Sequence, residues 1–385
     1  MKKSRILITC PKGISPYLKE EILRLEFPVK SDSVSWVETE GLMEDAMRLN
    51  LFLRAGHRVL YHIKDFHASD PEELYAEVKK IQWENYLHED GYVCVTSSVK
   101  NSTISDTRYP NLKCKDAIVD RMSEKFGRRP DSGPLRDRAV IHLYWESKDC
   151  SIYIDTSGEP LSKRRYRKIP FKAPMQETLA ASVIMATRWS GQGNFINPMC
   201  GSGTLAIEAS LIALNRPPGL LRDNFGFMHI KGFNKELWSR LRENAKSSIK
   251  KRLDFRIIAS DVSSKAIEAA KNNAETAGVA HLIEFHVCDF RETPVPEGGG
   301  IVILNPEYGE RMGEEKDLKD TYEGMGDFFK QKCKGYTGYI FTGNPDLAKK
   351  VGLKAKRRMQ FFNGSIECRL LEYELYEGSR KPSNV

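Results

Sequence analysis

A chain of 385 residues exceeds the usual size of one hydrophobic core, so two or three compact units are expected. The hydrophobic fraction of 40%, the lack of an apolar run long enough to span a bilayer, and a start without a cleavable apolar leader argue against membrane and secreted classes and for a cytoplasmic protein. Sixty Lys and Arg against 52 Asp and Glu leave a charge of +8, compatible with a polyanionic partner but not proof of one.

From the start of the chain to about Gly158, short strands and helices alternate. Arg5 to Thr9 has strand character, Tyr17 to Leu25 a helical period, Val34 to Glu38 alternation, and Leu42 to Leu53 the helical period again. Val59 to Ile63 predicts a strand. Asp70-Pro71 predicts a helix running to Ile81, with Asp70 as N-cap and Pro71 in the first helical position. Strand Tyr92 to Val99, helix Lys113 to Phe126, and strands Ala139 to Trp145 and Ser151 to Asp155 complete an α+β pattern without fixed repeats. The five tryptophans, Trp36, Trp83, Trp145, Trp189 and Trp238, sit among apolar residues and read as core or interface. The turn-rich, basic run Ser157 to Lys168 breaks the pattern and marks a boundary. Lys163, Arg164, Arg165, Tyr166 and Arg167 within it could follow a phosphate backbone with one stacking ring, or form a solvated linker.

Beyond the boundary the period lengthens into βαβ units. Pro174 opens a helix through Arg188, strand Asn194 to Ile196 leads into a glycine loop, and helix Leu205 to Leu214 follows. Strand Arg256 to Ser260, helix Lys265 to Ala277, strands Ile283 to Val287 and Gly300 to Leu304, helix Leu318 to Cys333, and strands Gly338 to Thr342, Arg358 to Phe362 and Glu367 to Leu375 continue the alternation. Such spacing implies a mostly parallel, doubly wound sheet that binds ligands at the carboxyl ends of its strands.

Two motifs carry the chemistry. Asn197-Pro198-Met199-Cys200-Gly201-Ser202-Gly203-Thr204 has glycines for a tight turn and close backbone approach, followed by a helix N-terminus. That turn serves a dinucleotide or S-adenosylmethionine (SAM) equally well. Asn305-Pro306-Glu307-Tyr308 follows an apolar strand. There the Asn305 amide oxygen and the Pro306 carbonyl can accept both N–H bonds of a planar amine while Tyr308 stacks on the ring. Between the motifs, Asp261 can accept from ribose hydroxyls and Asp289 from the adenine amine, with Val262 and Phe290 beside them; either acid could equally cap a turn. The succession is that of a SAM site whose catalysis rests on positioning and electrostatics. The eight scattered cysteines form no Cys-x-x-Cys pair and no histidine cluster has zinc spacing, so reduced thiols and no metal are expected.

The runs Ile154 to Arg167, Ala173 to Ala180, Asn197 to Thr204 with Ile207-Glu208-Ala209, Asn305 to Arg311, Ile340 to Pro345 and Phe362 to Cys368 resemble THUMP-domain RNA guanine-N2 methyltransferases, in particular the bacterial large-subunit rRNA type. Over the first 150 residues or so the likeness is looser and rests on Pro11-Lys12-Gly13 and the α+β layout. The resemblance implies a ferredoxin-like region over 1–60, a THUMP RNA-binding domain over 61–157, a basic linker over 158–172 and a Rossmann-like SAM-dependent methyltransferase domain over 173–385. It further implies that Thr178 and Leu179 lie beside the cofactor, and that the acceptor is a guanine 2-amino group in RNA, with large-subunit rRNA as the substrate. Two departures stand out: the family usually has Asp where this chain has Asn197, and Pro where it has Glu307. The other readings are tRNA guanine-N2 methylation, adenine-N6 methylation of nucleic acid, and a catalytically silent RNA-binding or ribosome-assembly factor. A dehydrogenase shares only the glycine turn and leaves Asn305 to Tyr308 without a purpose.

Overall fold

The computed structural model describes residues 3–100, 106, 108–168, 175–307 and 315–376, the side chains of 315–317 excepted. Two compact units result. The first comprises the chain up to Cys10, Leu18–Lys163 and Pro218–Lys246; the second comprises Pro11–Tyr17, Arg164–Pro217 and the chain from Ser247 onward.

The first unit is built on strands β1 (Ser4–Thr9), β2 (Ser31–Ser33), β3 (Trp36–Gly41), β4 (Arg58–His67), β5 (Tyr92–Lys100), β6 (Asp131–Ser132), β7 (Ala139–Glu146) and β8 (Asp149–Asp155). They form one sheet in the order β2-β3-β1-β4-β8-β7-β5-β6. Position 60, where the implied ferredoxin-like region ends, lies inside β4. That strand pairs antiparallel with β1 on one side and β8 on the other, with a register shift between His62 and Lys64. The residues Val34 and Ser35, read as the start of a strand, are instead the turn between β2 and β3, with Val34 61% exposed. The Asp70 cap forms as expected: its carboxylate accepts the Glu72 and Glu73 amides at 2.9 and 2.8 Å and opens the helix Pro71–Lys79.

Pro218–Lys246, inside the stretch read as catalytic domain, clusters with this first unit. Its aromatic residues explain its compactness. Phe225 and Phe227 stack at 5.2 Å, and Trp238 meets both rings edge-on at 5.5 and 5.0 Å. Arg222 is buried over the Phe225 ring at 4.5 Å and donates to the carbonyls of Ser157, Glu159, Pro160 and Asn224 at 3.0–3.3 Å. Trp83 and Trp145 are likewise buried in this unit.

The second unit holds β9 (Asn194–Pro198), β10 (Ile257–Asp261), β11 (Ile283–Val287), β12 (Gly300–Leu304), β13 (Tyr336–Thr342), β14 (Arg357–Asn363) and β15 (Ile366–Glu374). Their order is β11-β10-β9-β12-β13-β15-β14. The first five are parallel, and the β14–β15 hairpin adds antiparallel to β13. The order of strand addition reverses beside β9: β10 and β11 lie on one side, β12 and β13 on the other. The crevice at the carboxyl ends of β9 and β12 is therefore the topological switch point. Helices Glu177–Ala186, Thr204–Ala213, Ser264–Thr276 and Glu315–Lys332 accompany the sheet. The core includes Ile196, Ile258, Val302, Leu304, Tyr322, Phe329 and Ile340. Lys12 lies 4.4 Å over the Phe362 ring and Tyr17 stacks on Phe361 at 5.4 Å, which places the Pro11-Lys12-Gly13 segment with the hairpin end of the second unit.

Within the first unit, His142 sits between Thr96 Oγ1 at 2.9 Å and Ser98 Oγ at 3.3 Å. Burial, then the nearby Arg58 and Arg136, push its titration from 6.5 down to about 4, and His57 is lowered to about 4 by the same causes. Both rings fold neutral, so their contribution is complete above about pH 6.5 and is lost as the pH falls from there toward 4. Thermal melting should accordingly show a lower midpoint at pH 5 than at pH 7.5, and His142→Gln should shrink that difference; an unchanged pH dependence in the variant would contradict this assignment.

Candidate functional site

The ends of β9 and β10 and the turns after β11 and β12 carry residues singled out by the sequence. Register pairing sets Pro198 beside Ser260 and Asp261 beside Val287, and runs β12 in step with β9, so that the glycine loop, Asp261 and Asn305 emerge at one edge of the sheet.

Asn197 is fully buried. Its amide nitrogen donates to the Ile303 carbonyl at 2.9 Å, bridging β9 to β12 across the switch point. Its Oδ1 is buried without a hydrogen-bond partner among the described residues. The hydroxyl of Thr178, also fully buried, is in the same condition. Orphaned buried oxygens are uncommon in folded proteins, and the one on Asn197, in the strand that leads into the glycine loop, is suited to a polar ligand.

The loop from Met199 to Thr204 is shaped by left-handed backbone: φ is 57° at Met199, 53° at Gly201 and 82° at Gly203. The two glycines serve different ends. A Cβ on Gly203 would lie 2.9 Å from Ala270 Cβ, so this glycine allows two helices to approach, whereas a Cβ on Gly201 would meet nothing within 4 Å. Gly201 therefore presents bare backbone to open space. Cys200, Ser202 and Thr204 are buried. Burial pushes the Cys200 thiol up, which makes it a packing residue and not a nucleophile.

Asp261 Oδ2 accepts the Gly201 amide at 2.9 Å while Oδ1 accepts the Ser263 amide at 3.0 Å. The carboxylate thus stiffens the loop from the neighbouring strand, and each oxygen keeps capacity for one further donor. Val262, 75% exposed, offers an apolar wall beside it. Asp289 caps the short turn Phe290–Glu292 through the Arg291 amide at 2.9 Å and pairs with the Arg291 guanidinium at 3.2 Å, its side chain 43% exposed. The Phe290 ring is buried against Phe328, so Phe290 can face a ligand only with its backbone. Leu179 is a core residue of its helix. At the end of β12, Asn305 is half-buried, Pro306 buried and Glu307 exposed; Tyr308 lies outside the described residues. Among those residues no group of three or more His, Cys, Asp or Glu is placed to hold a metal.

The basic run requires a correction. Arg164 and Tyr166 are each 1% exposed and cannot track a phosphate backbone. Both turn inward onto Glu208, in the helix that follows the glycine loop: Arg164 Nε lies 2.8 Å from Glu208 Oε1, and the Tyr166 hydroxyl donates to the same oxygen at 3.1 Å. Stripping one partner from such a buried pair costs about 3–5 kcal/mol, so the run braces the cofactor-loop helix. Arg167 also points inward, to Glu177, Met175 and Thr204. Lys163 and Arg165 are exposed. A carboxylate inside the otherwise apolar helix Thr204–Ala213 demands a partner, and that signal could have found this network. Asn273 went unread altogether. Buried, it accepts the Lys168 amide at 2.9 Å and donates to the Ser202 carbonyl at 3.2 Å, joining linker to glycine loop. The Thr342 to Pro345 motif has structural work: Asn344 caps the helix Pro345–Lys349.

The family model described as an RMKL-like methyltransferase domain (UPF0020) matches residues 164–372, the RlmL ferredoxin-like domain residues 5–60, and the THUMP domain residues 68–155. A curated relative from Syntrophotalea carbinolica, named ribosomal RNA large subunit methyltransferase K/L, is 35% identical over 97% of this chain. The chain spans about half the length of that relative, 54%. Among solved structures, a putative methyltransferase complexed with S-adenosylhomocysteine (SAH) is 28% identical, with a TM-score of 0.89, and the match covers 98% of this chain and all of that one. A predicted N6-adenine-specific DNA methylase from Listeria monocytogenes is 30% identical with a TM-score of 0.86, covering 98% of this chain and 97% of that one.

The two glycines should separate experimentally. Gly203→Ala combines left-handed strain with overlap on Ala270 and should lower stability by about 2–4 kcal/mol, against about 1 kcal/mol for Gly201→Ala. Denaturant unfolding of both variants checks this; equal losses would contradict the division of labour.

Proposed function

The chain belongs to the RMKL-like methyltransferase (UPF0020) family, and on that premise we propose that it transfers a methyl group from SAM to the exocyclic N2 amine of a guanine in large-subunit rRNA. The observation that carries the proposal is the convergence, at one sheet edge, of the loop bearing buried unpartnered Asn197 Oδ1 with the turn Asn305-Pro306. The guanine and the rRNA rest on the sequence resemblance, the THUMP-domain match and the name of the curated relative.

The residues present fit SAM. Bare backbone at Gly201, the Asp261 carboxylate, the exposed Val262 side chain and the orphaned buried oxygen of Asn197 suit an adenosine joined to a charged amino acid. Bound there, the cofactor supplies an electrophilic methyl group on a sulfonium. Asn305 and Pro306 do the rest of the work. Their two acceptor oxygens take the two N–H bonds of the amine, which fixes its plane, raises electron density on nitrogen and aims it along the line of transfer. Exposed Glu307 puts a carboxyl next to this turn, where the family usually has a ring, and leaves the two acceptors in place. The amine clamp is chemically equal to the task of an adenine N6 amine, so product identity is the discriminating outcome.

Transfer of radiolabelled methyl from SAM to unmethylated rRNA should fall by about a hundredfold or more in Asn305→Ala, with cofactor binding retained. Labelling that persists undiminished in that variant would sink the mechanism.

A further inference from the structure

The glycine loop is held residue by residue by the strand and the helix beside it. Asp261, at the end of β10, takes the Gly201 amide at 2.9 Å, and Gly203 packs on the next helix so closely that a Cβ there would lie 2.9 Å from Ala270 Cβ. Between these two, Ser202 is held by its carbonyl, which accepts from Asn273 Nδ2 at 3.2 Å. Asn273 follows Ala270 by one turn on the same face of the helix Ser264–Thr276 and is 1% exposed. The Gly203 amide, at the opposite end of the Ser202–Gly203 peptide plane, donates to the Cys200 carbonyl at 2.9 Å. Both polar ends of that plane are therefore fixed, one inside the loop and one by Asn273.

The other half of the Asn273 amide faces the linker, where Oδ1 accepts the Lys168 amide at 2.9 Å. The same linker is anchored on Glu208 through Arg164 and Tyr166, and on Thr204 through Arg167. One buried side chain thus donates to the loop and accepts from the segment that braces the loop's helix. Asparagine is a weak helix former, so local propensity does not explain its place in the interior of this helix. We infer that Asn273 is a positioning residue for cofactor binding: its donor sets the plane of the Ser202–Gly203 peptide and its acceptor ties that plane to the linker, an inference that rests on the methyltransferase reading. The role needs a donor and an acceptor on one short planar group. An ionised aspartate would keep the acceptor for Lys168 but set a negative oxygen against the Ser202 carbonyl. A protonated aspartate would be a near copy of asparagine, with an O–H in place of the N–H.

That difference supplies the test, calorimetric titration of SAH into the full chain and into Asn273→Asp at about pH 8.5 and about pH 6, at a temperature where both are folded. Burial against a carbonyl raises the pKa of a carboxyl, so the variant regains its donor as the pH falls. Asn273→Asp should bind SAH about tenfold to a hundredfold more weakly than wild type at the higher pH, and the ratio should narrow by at least about threefold at the lower. Charged groups on the elements that meet Asn273, namely Arg164 with Glu208, Arg167, Lys168 and Asp261, and the helix's own charges are common to both proteins, so the change in the ratio reports the new carboxyl. Asn273→Ser, too short to reach both partners, should weaken SAH several-fold at both pH values and decides the matter if the aspartate variant does not fold. Unchanged SAH affinity in a folded variant, or an aspartate ratio that is the same at both pH values, makes Asn273 a packing residue and overturns the inference while the methyltransferase reading stands. A wild-type chain that does not bind SAH overturns both.

Discussion

A single side-chain hydrogen bond, from the Asn197 amide to the Ile303 carbonyl at 2.9 Å, ties together the two strands between which the site is built. β9 delivers the glycine loop and β12 delivers Asn305-Pro306; nothing else about the chemistry is useful unless those two ends keep their spacing. An aspartate at 197, the usual residue of the family it resembles, has no proton to donate to a carbonyl when ionised. The asparagine here does. What the carboxylate would offer a cationic ligand is reduced to one amide oxygen, and that oxygen is the one left buried and unpartnered. The departure from the family pattern exchanges a charge for a bridge.

Around this bridge the loop is held from three directions. Asp261 grips the Gly201 amide from β10, Asn273 grips the Ser202 carbonyl from the next helix, and Glu208 anchors Arg164 and Tyr166 beneath the helix that the loop opens. The buried charges near the loop have counter-charges within reach, Arg164 on Glu208 and Arg167 on Glu177, and the half-buried Asp261 carboxylate is held by the Gly201 and Ser263 amides. A site of fixed dipoles aimed before the substrate arrives is how positioning and electrostatics lower a barrier without a covalent step.

Much of this was legible in the sequence because it follows from period and from turn chemistry. Strand-to-helix alternation located nearly every element of the second unit, and the order glycine loop, Asp261, Asp289, Asn305 puts these residues at or just beyond strand ends, which is where the fold carries them. Orientation was not legible. Charge composition describes a run such as Lys163 to Arg167 as basic whether its side chains face water or a buried glutamate, and only the apolar helix around Glu208 hints at the second. Long-range membership was equally hidden: the Phe225, Phe227 and Trp238 cluster gives Pro218–Lys246 its own apolar interior, yet nothing local says which unit it joins. Asn273 escaped because a buried asparagine in the middle of a helix looks, in one dimension, like any solvated one.

The proposed reaction at this edge is methylation of the N2 amine of guanine in RNA. Incubating unmethylated large-subunit rRNA with the protein and SAM bearing a deuterated methyl group, then digesting to nucleosides for mass spectrometry, tests it most directly. Deuterated N2-methylguanosine is the predicted product; deuterated N6-methyladenosine, or no labelled nucleoside from a chain that binds the cofactor, would contradict it.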